Sequence, residues 1–455
     1  MEPIIKLPTG RIKGCLREGV LQFHGIPYAK PPVGEMRFRL PEPPEPWEGL
    51  YDATYRRPVA PQGTSDLDLP MGPVTLPTSE DCLTLAVSTP SLEGRLPVAV
   101  WIHGGANCYC GGDLPWYDGA SLARRGNLVE VNLNFRLGPL GFLCCPGVNE
   151  ENLSIADQML ALQWVHENIA RFGGDPHRVT LFGQSAGGNA IAHILSRPDS
   201  QGLFQQVVLE SPSLGRGNHT RQDAFEVGTA VLREMGIDPE GADILRLAQE
   251  KPVEEILAAA DRVQPILGAK HQGMLFKPVM DAWHTPEQTA AAAAAEAVRR
   301  GLRVMIGMTR DEIHAFVLER DPDTLTRLRQ GQRQRYDRPG FWFAMAAARG
   351  GCPVWKYRFD WSAPESPFDA CHCLELPFLF GNLDAWDAPM LKGASREEME
   401  RLRDTIQDFW CRFFRFEDLE SGEWPRYTAQ SPLLKCFDNQ GNPLLTDPEA
   451  LEAGK

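Results

Sequence analysis

The sequence lacks the features that mark a membrane or a fibrous protein. No run of about 18 apolar residues occurs in its 455 residues, so no membrane-spanning helix is expected. The first residues, MEPIIKLPTG, have neither a basic start nor a long apolar stretch, which argues against a secretory signal. There is also no internal repeat and no low-complexity linker. We therefore expect a globular protein.

Positive charge and patterned cysteines are also scarce. The chain has 46 Lys and Arg against 60 Asp and Glu, a net charge of -14. A surface of this sign repels phosphate backbones and anionic lipids, so neither nucleic acid nor a membrane is an expected partner. The 11 cysteines are odd in number and have no framework spacing. This use of cysteine is typical of a reducing compartment, and we expect a cytoplasmic location.

Apolar strands alternate with helical segments through most of the chain. The runs LPVAVWI, RVTLF, FQQVVLE and LRVMIGM are apolar on both faces, as in a parallel sheet covered by helices. Ser154 is predicted to cap a helix over SIADQMLALQWVHEN, with Asp157 in a capping-box position. The first 60 residues are rich in proline and glycine and predict an irregular surface segment. We expect one domain over 1–455, with a helical insertion at 214–300.

The segment GQSAG places Ser185 between a predicted strand and a predicted helix. It matches G-x-S-x-G, in which a serine projects from a sharp turn and the glycines leave room for neighbouring backbone. Alone, the pattern would occur by chance on the order of 0.1 to 0.2 times in a chain this long. A glycine-rich turn with a capping serine is the alternative. The strand–turn–helix setting favours a nucleophile.

A serine nucleophile needs a histidine base and an acid that orients it, in the chain order serine, acid, histidine. His372 follows the last predicted strand, where the base is expected. Asp311 and Glu312 both follow the strand LRVMIGM, and position alone does not separate them. The loop HGGAN after the strand VAVWI would supply the backbone amides of Gly105 and Ala106, joined by that of Ala186, to an oxyanion. His103 in this loop is expected to be structural.

The ordered motifs resemble those of the type-B carboxylesterases. This α/β-hydrolase group includes bacterial para-nitrobenzyl esterases and cholinesterases. The resemblance covers nearly the whole chain, through FHGIPYAKPPVGEMRF, SEDCLTLAV, WIHGGA, NFRLGPLGFL, GQSAGG, GMTRDE, HCLELPFLFGN and WPRY. It implies an α/β-hydrolase fold with the helical insertion over the active-site gorge.

The resemblance also implies roles for single residues. Ser185 matches the nucleophile, His372 the base and Glu312 the acid, which separates Glu312 from Asp311. Gly105, Ala106 and Ala186 match the oxyanion donors. The implied activity is hydrolysis of small to medium uncharged carboxylic esters through an acyl-enzyme, with no cofactor and no metal.

The sequence departs from the family at several positions near the site. Gln184 stands where many relatives have glutamate, and Asn107 where many have an aromatic residue, so both are expected to line the substrate pocket. Cys82 lacks its usual partner, because Ala60 stands at that position. Two other functions are considered: an inactive binding module of the same family, and hydrolysis of amides, carbamates, lactones or thioesters by the same residues.

Overall fold

The computed structural model describes residues 2–73, 77–280, 285–420 and 423–453. The strands are β1 Ile4–Leu7, β2 Gly10–Lys13, β3 Cys15–Arg17, β4 Val20–Pro27, β5 Leu50–Asp52, β6 Thr84–Thr89, β7 Leu96–Ile102, β8 Val129–Leu133, β9 Gly174–Gln184, β10 Gln206–Glu210, β11 Arg303–Thr309, β12 Val354–Phe359, β13 Leu433–Phe437 and β14 Leu444–Thr446.

Helices fill most of the connections between the strands. They are α1 Asp68–Met71, α2 Ala120–Gly126, α3 Gly138–Phe142, α4 Leu153–Asn168, α5 Ala186–Leu195, α6 Arg221–Glu234, α7 Ile244–Gln249, α8 Val253–Leu267, α9 Pro286–Arg299, α10 Pro322–Gln332, α11 Arg338–Arg349, α12 Leu376–Phe380, α13 Arg396–Phe414 and α14 Pro448–Ala453.

One sheet of 11 strands organises the molecule. Its order is β14-β13-β12-β11-β10-β9-β7-β8-β6-β4-β3. The seven strands from β8 to β13 in this order run parallel, and the strands at both margins are antiparallel. Because parallel strands end at one edge, the loops that follow β7, β9, β10, β11 and β12 meet there. A separate small sheet has the order β1-β2-β5.

Both faces of the large sheet are buried, as the continuous apolar runs predict. Val100 and its neighbours pack on one face against α4, α5, α9 and α11. Trp101, one residue later, points to the other face and packs with Phe380 and Phe414 near α12 and α13. This alternation follows from the two-residue period of a strand. The predicted sheet with helices on both faces is confirmed.

The helices between β10 and β11 pack in two different ways. Helices α6, α7 and α8 share a buried cluster with α3, built on Leu143, Val231 and Ile256. Helix α9 instead buries Ala290, Ala294 and neighbouring alanines in the core on the sheet, beside α11. The predicted insertion over 214–300 thus contains two parts. Helices α6–α8 form a group apart from the sheet, and α9 belongs to the helical layer that covers the sheet.

Two sequence-based expectations are wrong. The first 60 residues are not irregular throughout: they include β1–β5, and β4 is a buried strand of the large sheet, whereas the proline-rich stretch 28–49 holds only a short 3-10 turn. Helix α4 begins at Leu153 with Asn152 as its N-cap, so Ser154 does not cap it. Asp157 is not in a capping box, because its carboxylate binds the buried guanidinium of Arg136 at 2.6 Å. Among the described helices, none has both the length and the hydropathy that a membrane crossing requires.

Candidate active site

Ser185 lies on a strained turn at the carboxyl edge of the sheet. It separates β9 from α5 and has φ 57° and ψ -121°, a backbone conformation that costs a non-glycine residue about 1–3 kcal/mol. Its N–H donates to the carbonyl of Glu210 at 2.8 Å, which ties the turn to the end of β10. The side chain faces a cavity, and the N-terminus of α5 lies directly behind it. The turn therefore presents the hydroxyl next to a helix N-terminus.

The glycines of the motif are required by close backbone contacts. A Cβ at Gly187 would lie 2.1 Å from the carbonyl oxygen of Ile102, and one at Gly183 would lie 2.7 Å from the same oxygen. These contacts leave no space for a side chain, so the turn packs directly on β7. The sequence-based reason for the G-x-S-x-G spacing is confirmed by this packing.

The structure brings Glu312 to His372. The Glu312 carboxylate contacts Nδ1 of His372 through Oε2, and its Oε1 accepts the Thr309 N–H at 2.8 Å. Both side chains are buried, Glu312 on the turn after β11 and His372 on the loop after β12. Asp311 points elsewhere: its carboxylate accepts from the Arg310 guanidinium at 2.8 Å and from the Ala370 N–H at 3.3 Å. Position in the sequence did not decide which of the two acids contacts the histidine. In the structure Glu312 does and Asp311 does not.

The side-chain amide of Gln184 contacts the other ring nitrogen of His372. Its amide Nε2 lies 3.2 Å from His372 Nε2 and 3.3 Å from Cys373 Sγ. An amide NH₂ can only donate, so Nε2 of the imidazole accepts and Nδ1 carries the proton toward Glu312. This is the tautomer that a general base needs. Among the described residues, the Ser185 hydroxyl makes no hydrogen bond with His372 in this conformation, and such bonds commonly tighten when substrate binds.

The loop after β7 places backbone amides beside Ser185. Gly105 and Ala106 have φ 100° and 54°, and both lie on the cavity wall with Ser185. Ala186 is the first residue of α5, so its N–H has no partner within the helix. His103 stacks on Phe135 with ring centroids 4.3 Å apart, and burial lowers its pKa to about 4. His103 is thus neutral and packed, in keeping with the structural role expected of it.

The structure places the two predicted pocket residues behind the cavity wall. Asn107 is buried and its amide donates to the carbonyl of Phe276 at 2.9 Å, so it holds the cavity wall from behind. Gln184 is 1% exposed and is held behind Ser185 by His372 and Cys373. Neither side chain lines the cavity that Ser185 faces. Asn107 lies on the loop after β7 and Gln184 is the last residue of β9, and the residue type alone does not reveal which way either side chain points.

The cavity that Ser185 and His372 share has a volume of about 700 Å³. We call it the central cavity. Its wall includes Gly105 and Ala106 from the loop after β7, Met274 and Phe276 from the segment after α8, and Tyr336. A volume of this size suits a small or medium organic molecule. Reacting groups and amide donors therefore meet on one cavity.

Known proteins match both the sequence and this architecture. A family model described as the carboxylesterase family matches residues 1–338. A para-nitrobenzyl esterase from Bacillus subtilis (strain 168) is 38% identical, over 98% of this chain and 97% of its own length. A probable N-octanoylanthranilate hydrolase from Rhodococcus erythropolis is 36% identical, over 94% and 96%. A solved thermophylic PNB esterase structure has a TM-score of 0.88 at 36% identity, covering 100% of this chain and 99% of that one.

The chain belongs to the carboxylesterase family. This carboxylesterase has the α/β-hydrolase fold and is a carboxylic ester hydrolase, as the motifs implied. The resemblance drawn from the sequence is confirmed.

Two buried acids beneath the site of this carboxylesterase were not found from the sequence. Burial raises the pKa of Glu210 to about 8, although the Trp410 indole donates to its carboxyl at 2.6 Å. Burial also raises the pKa of Glu375 well above its ordinary value, followed by the charges of Glu312 and Glu210. Burial thus shifts both acids toward their neutral forms. The only sequence signal for these acids was a glutamate at the end of each apolar segment, Glu210 in FQQVVLE and Glu375 in HCLE.

Proposed function

We propose that this carboxylesterase cleaves esters through a covalent acyl-enzyme on Ser185. The observation that carries the proposal is the meeting of a strained serine turn and the Glu312–His372 pair on one cavity. Once the Gln184 amide releases His372 Nε2, this nitrogen takes the Ser185 proton as Ser185 Oγ attacks the ester carbonyl. The resulting imidazolium then protonates the leaving alcohol. Water, activated by His372, releases the acid.

Glu312 and the loop amides act on the charges that form during these steps. Glu312 holds the Nδ1 proton of His372 and stabilises the imidazolium. The amides of Gly105, Ala106 and Ala186 are proposed to bind the oxyanion, where removal of one donor costs about 3–4 kcal/mol. Their placement beside Ser185 supports this role. Because these amides belong to a fixed loop and a helix N-terminus, they need no reorganisation during the reaction.

The proposed substrates are small to medium carboxylic esters, which fit a cavity of about 700 Å³. The expectation that they are uncharged conflicts with two arginines on the wall, Arg216 and Arg335. Membership of a hydrolase family and a filled serine–histidine–acid set disfavour the inactive binding module. Amide, carbamate, lactone and thioester cleavage stays a prediction, to be tested by comparing kcat/KM over matched substrates.

The location and the domain division also stay predictions. All 11 cysteines are free thiols, which supports a reducing compartment such as the cytoplasm. A single domain over 1–455 is supported by the sheet that runs through the chain from β3 to β14. The acidic surface supports the expectation that nucleic acid is not a partner.

Hydrolysis of p-nitrophenyl acetate and butyrate tests the proposal. We expect Ser185→Ala to lower kcat by about 10⁴-fold or more, since loss of the nucleophile leaves only binding and oxyanion stabilisation. Ser196→Ala is the matched control, because Ser196 ends the same helix and its hydroxyl binds the His193 carbonyl. Equal turnover by the Ser185→Ala variant and the wild type would refute the proposal.

A further inference from the structure

Two arginines reach the central cavity from separate segments of the chain. Arg216 ends the short 3-10 turn Leu214–Arg216, which follows β10. Arg335 lies in the π-helical turn Arg333–Asp337, between α10 and α11. Both line the cavity wall together with Ser185 and His372. Such π-helical turns are rare and are often found at functional sites.

Direct backbone contact holds these two turns together. A Cβ at Gly215 would lie 2.0 Å from the carbonyl oxygen of Gln334 and 2.5 Å from the Cα of Arg335. Any larger residue would push the turns apart. The absence of a side chain at Gly215 therefore lets Arg216 approach Arg335, and the charge of Arg335 helps burial to lower the pKa of Arg216. Two like charges are thus held near each other on one wall.

Neither arginine has an acidic partner in the described part of the chain. Arg216 donates to the backbone carbonyl of Gln272. Nearby arginines behave differently, since Arg310 binds Asp311 at 2.8 Å and Arg320 binds Asp369 at 3.4 Å. Arginines that are partly buried without a counter-ion are costly. The wall therefore carries positive charge that the described residues leave uncompensated.

A third cation lies behind the same wall. Lys277 is buried, and its Nζ donates to the carbonyl of Arg216 at 3.2 Å. Burial, followed by the charge of Arg216, lowers the pKa of Lys277 to about 8. Two acids, Asp66 and Asp261, also line the cavity, but they come from the segment before α1 and from α8 and form no ion pair with these cations among the described residues. The positive charge is therefore local to the turns after β10 and α10.

Tyr336 connects the arginine turn to the reacting groups. It follows Arg335 directly, and its ring centroid lies 5.6 Å from that of His372. Burial and the charge of Glu312 raise the pKa of Tyr336, while Arg216 and Arg335 act in the opposite direction. Both arginines are thus close enough to interact electrostatically with Tyr336, which contacts His372. One ligand in the central cavity can therefore contact both Ser185 and the arginines.

We propose that Arg216 and Arg335 form an anion subsite in the central cavity, and that this enzyme takes esters bearing a carboxylate. The inference rests on the proposed function, because it names the substrate class of that same site. Two planar guanidinium groups offer paired N–H donors that match a carboxylate in geometry and charge. Such an anion would supply the counter-charge that the wall lacks. The carboxylate can belong to the acyl half or to the alcohol half of the ester.

The test compares esters that differ in one charge. For the acyl half, 4-nitrophenyl hemisuccinate is paired with 4-nitrophenyl levulinate, which replaces the carboxylate by a neutral methyl ketone of similar size. For the alcohol half, 3-acetoxybenzoate is paired with 3-acetoxybenzamide. The measured quantity is the ratio of kcat/KM for the charged ester to that for its neutral partner. We expect the wild-type ratio to exceed 1 in at least one pair.

The arginine variants then locate the effect. The double variant Arg216→Gln/Arg335→Gln is expected to lower that ratio by about 10-fold to 100-fold, mainly through KM, because both charge-assisted contacts with the carboxylate are lost. Arg349→Gln is the matched control, because Arg349 is exposed at the far end of α11. Its ratio should equal that of the wild type. The pair that responds identifies the half of the ester that carries the charge.

Binding without turnover separates this inference from the proposed function. Calorimetry with glutarate is carried out on Ser185→Ala protein, with and without the two arginine substitutions. We expect glutarate to bind the first protein and to bind the second at least 10-fold more weakly. If no ester is cleaved, the proposed function fails while this binding still tests the subsite. Equal glutarate binding by the two proteins, or ratios unchanged by the arginine substitutions, would overturn the inference.

Discussion

Ser185, Glu312 and His372 follow strands of the large sheet, whereas Arg216 and Arg335 lie on turns that lead into helical segments. The first group is fixed by β9, β11 and β12, which are buried on both faces. The second depends on the contact between a 3-10 turn and a π-helical turn. We call them the strand-end group and the arginine wall. A rigid sheet edge suits chemistry that requires fixed distances.

The difference between the two regions suggests a division of work. In the proposed mechanism the strand-end group supplies nucleophilic attack and proton transfer, which any carboxylic ester requires. The arginine wall adds a charge that only some esters complement. Changes at the strand-end group should therefore affect all esters alike, and changes at the arginine wall should affect the choice among them.

After Ser185→Ala, the largest effect is expected from Glu312→Gln in the strand-end group. The amide keeps the volume but removes the charge that stabilises the His372 imidazolium, so kcat should fall about 10³-fold to 10⁴-fold for neutral and charged esters alike. Steady-state kinetics with p-nitrophenyl butyrate and 4-nitrophenyl hemisuccinate measure this. Asp311→Asn is the matched control, because Asp311 binds Arg310 rather than His372. A larger loss in Asp311→Asn than in Glu312→Gln would reverse the assignment.

A smaller effect, on stability, is expected from Glu210→Gln beneath the nucleophile turn. Burial raises the pKa of Glu210 from 4.5 to about 8, so between these values the folded chain binds a proton that the unfolded chain releases. The stability of the wild type should therefore fall as the pH rises from about 5 to 8. Glutamine cannot ionise and still accepts from Trp410, so the variant should gain on the order of 2–4 kcal/mol relative to wild type over this range.

Urea unfolding at several pH values between 5 and 9 measures this gain. The difference in free energy of unfolding between variant and wild type should grow with pH and level off above about 8. Glu397→Gln, an exposed glutamate on α13, should give a difference that does not change with pH. Parallel curves for Glu210→Gln and wild type would show that Glu210 does not hold this proton.

The smallest effect is expected at Asn107, which links the loop after β7 to the cavity wall. Its amide links the loop that carries Gly105 and Ala106 to Phe276 on the cavity wall. Loss of this hydrogen bond should loosen the oxyanion loop and lower kcat about 3-fold to 10-fold, or roughly 1 kcal/mol. Because Asn107 has φ 64°, Asn107→Gly removes the amide without backbone strain, and Asn107→Ala adds strain. Wild-type kcat in Asn107→Gly would show that the amide does not position the loop.

The sequence predicts the strand-end group far better than the arginine wall. Ser185 was found because G-x-S-x-G has a fixed relation to a strand and a helix, and His372 because the base follows a later strand. Position alone left Asp311 and Glu312 open, since neighbouring residues on a turn point in different directions. The family resemblance favoured Glu312, and the contact with His372 agrees.

The arginine wall depends on contacts that are remote in the sequence. Arg216 and Arg335 are more than a hundred residues apart, and no local pattern predicts that Gly215 packs on Arg335. The structure places the side chains of Asn107 and Gln184 away from the cavity for a related reason: residue type does not show whether a side chain near a strand end faces the cavity or the interior. Strands were also missed in the first 60 residues, where proline and glycine interrupt the apolar pattern but tertiary pairing still forms β4.

The central claim, that Ser185 is the nucleophile, is tested most directly by covalent labelling. The wild-type protein is treated with diethyl p-nitrophenyl phosphate, and the modified peptide is identified by mass spectrometry. We predict one diethylphosphoryl group per chain, on Ser185, with loss of esterase activity in proportion to labelling. A label on another residue would contradict the account. So would treated protein that carries no label and still cleaves p-nitrophenyl butyrate at the untreated rate.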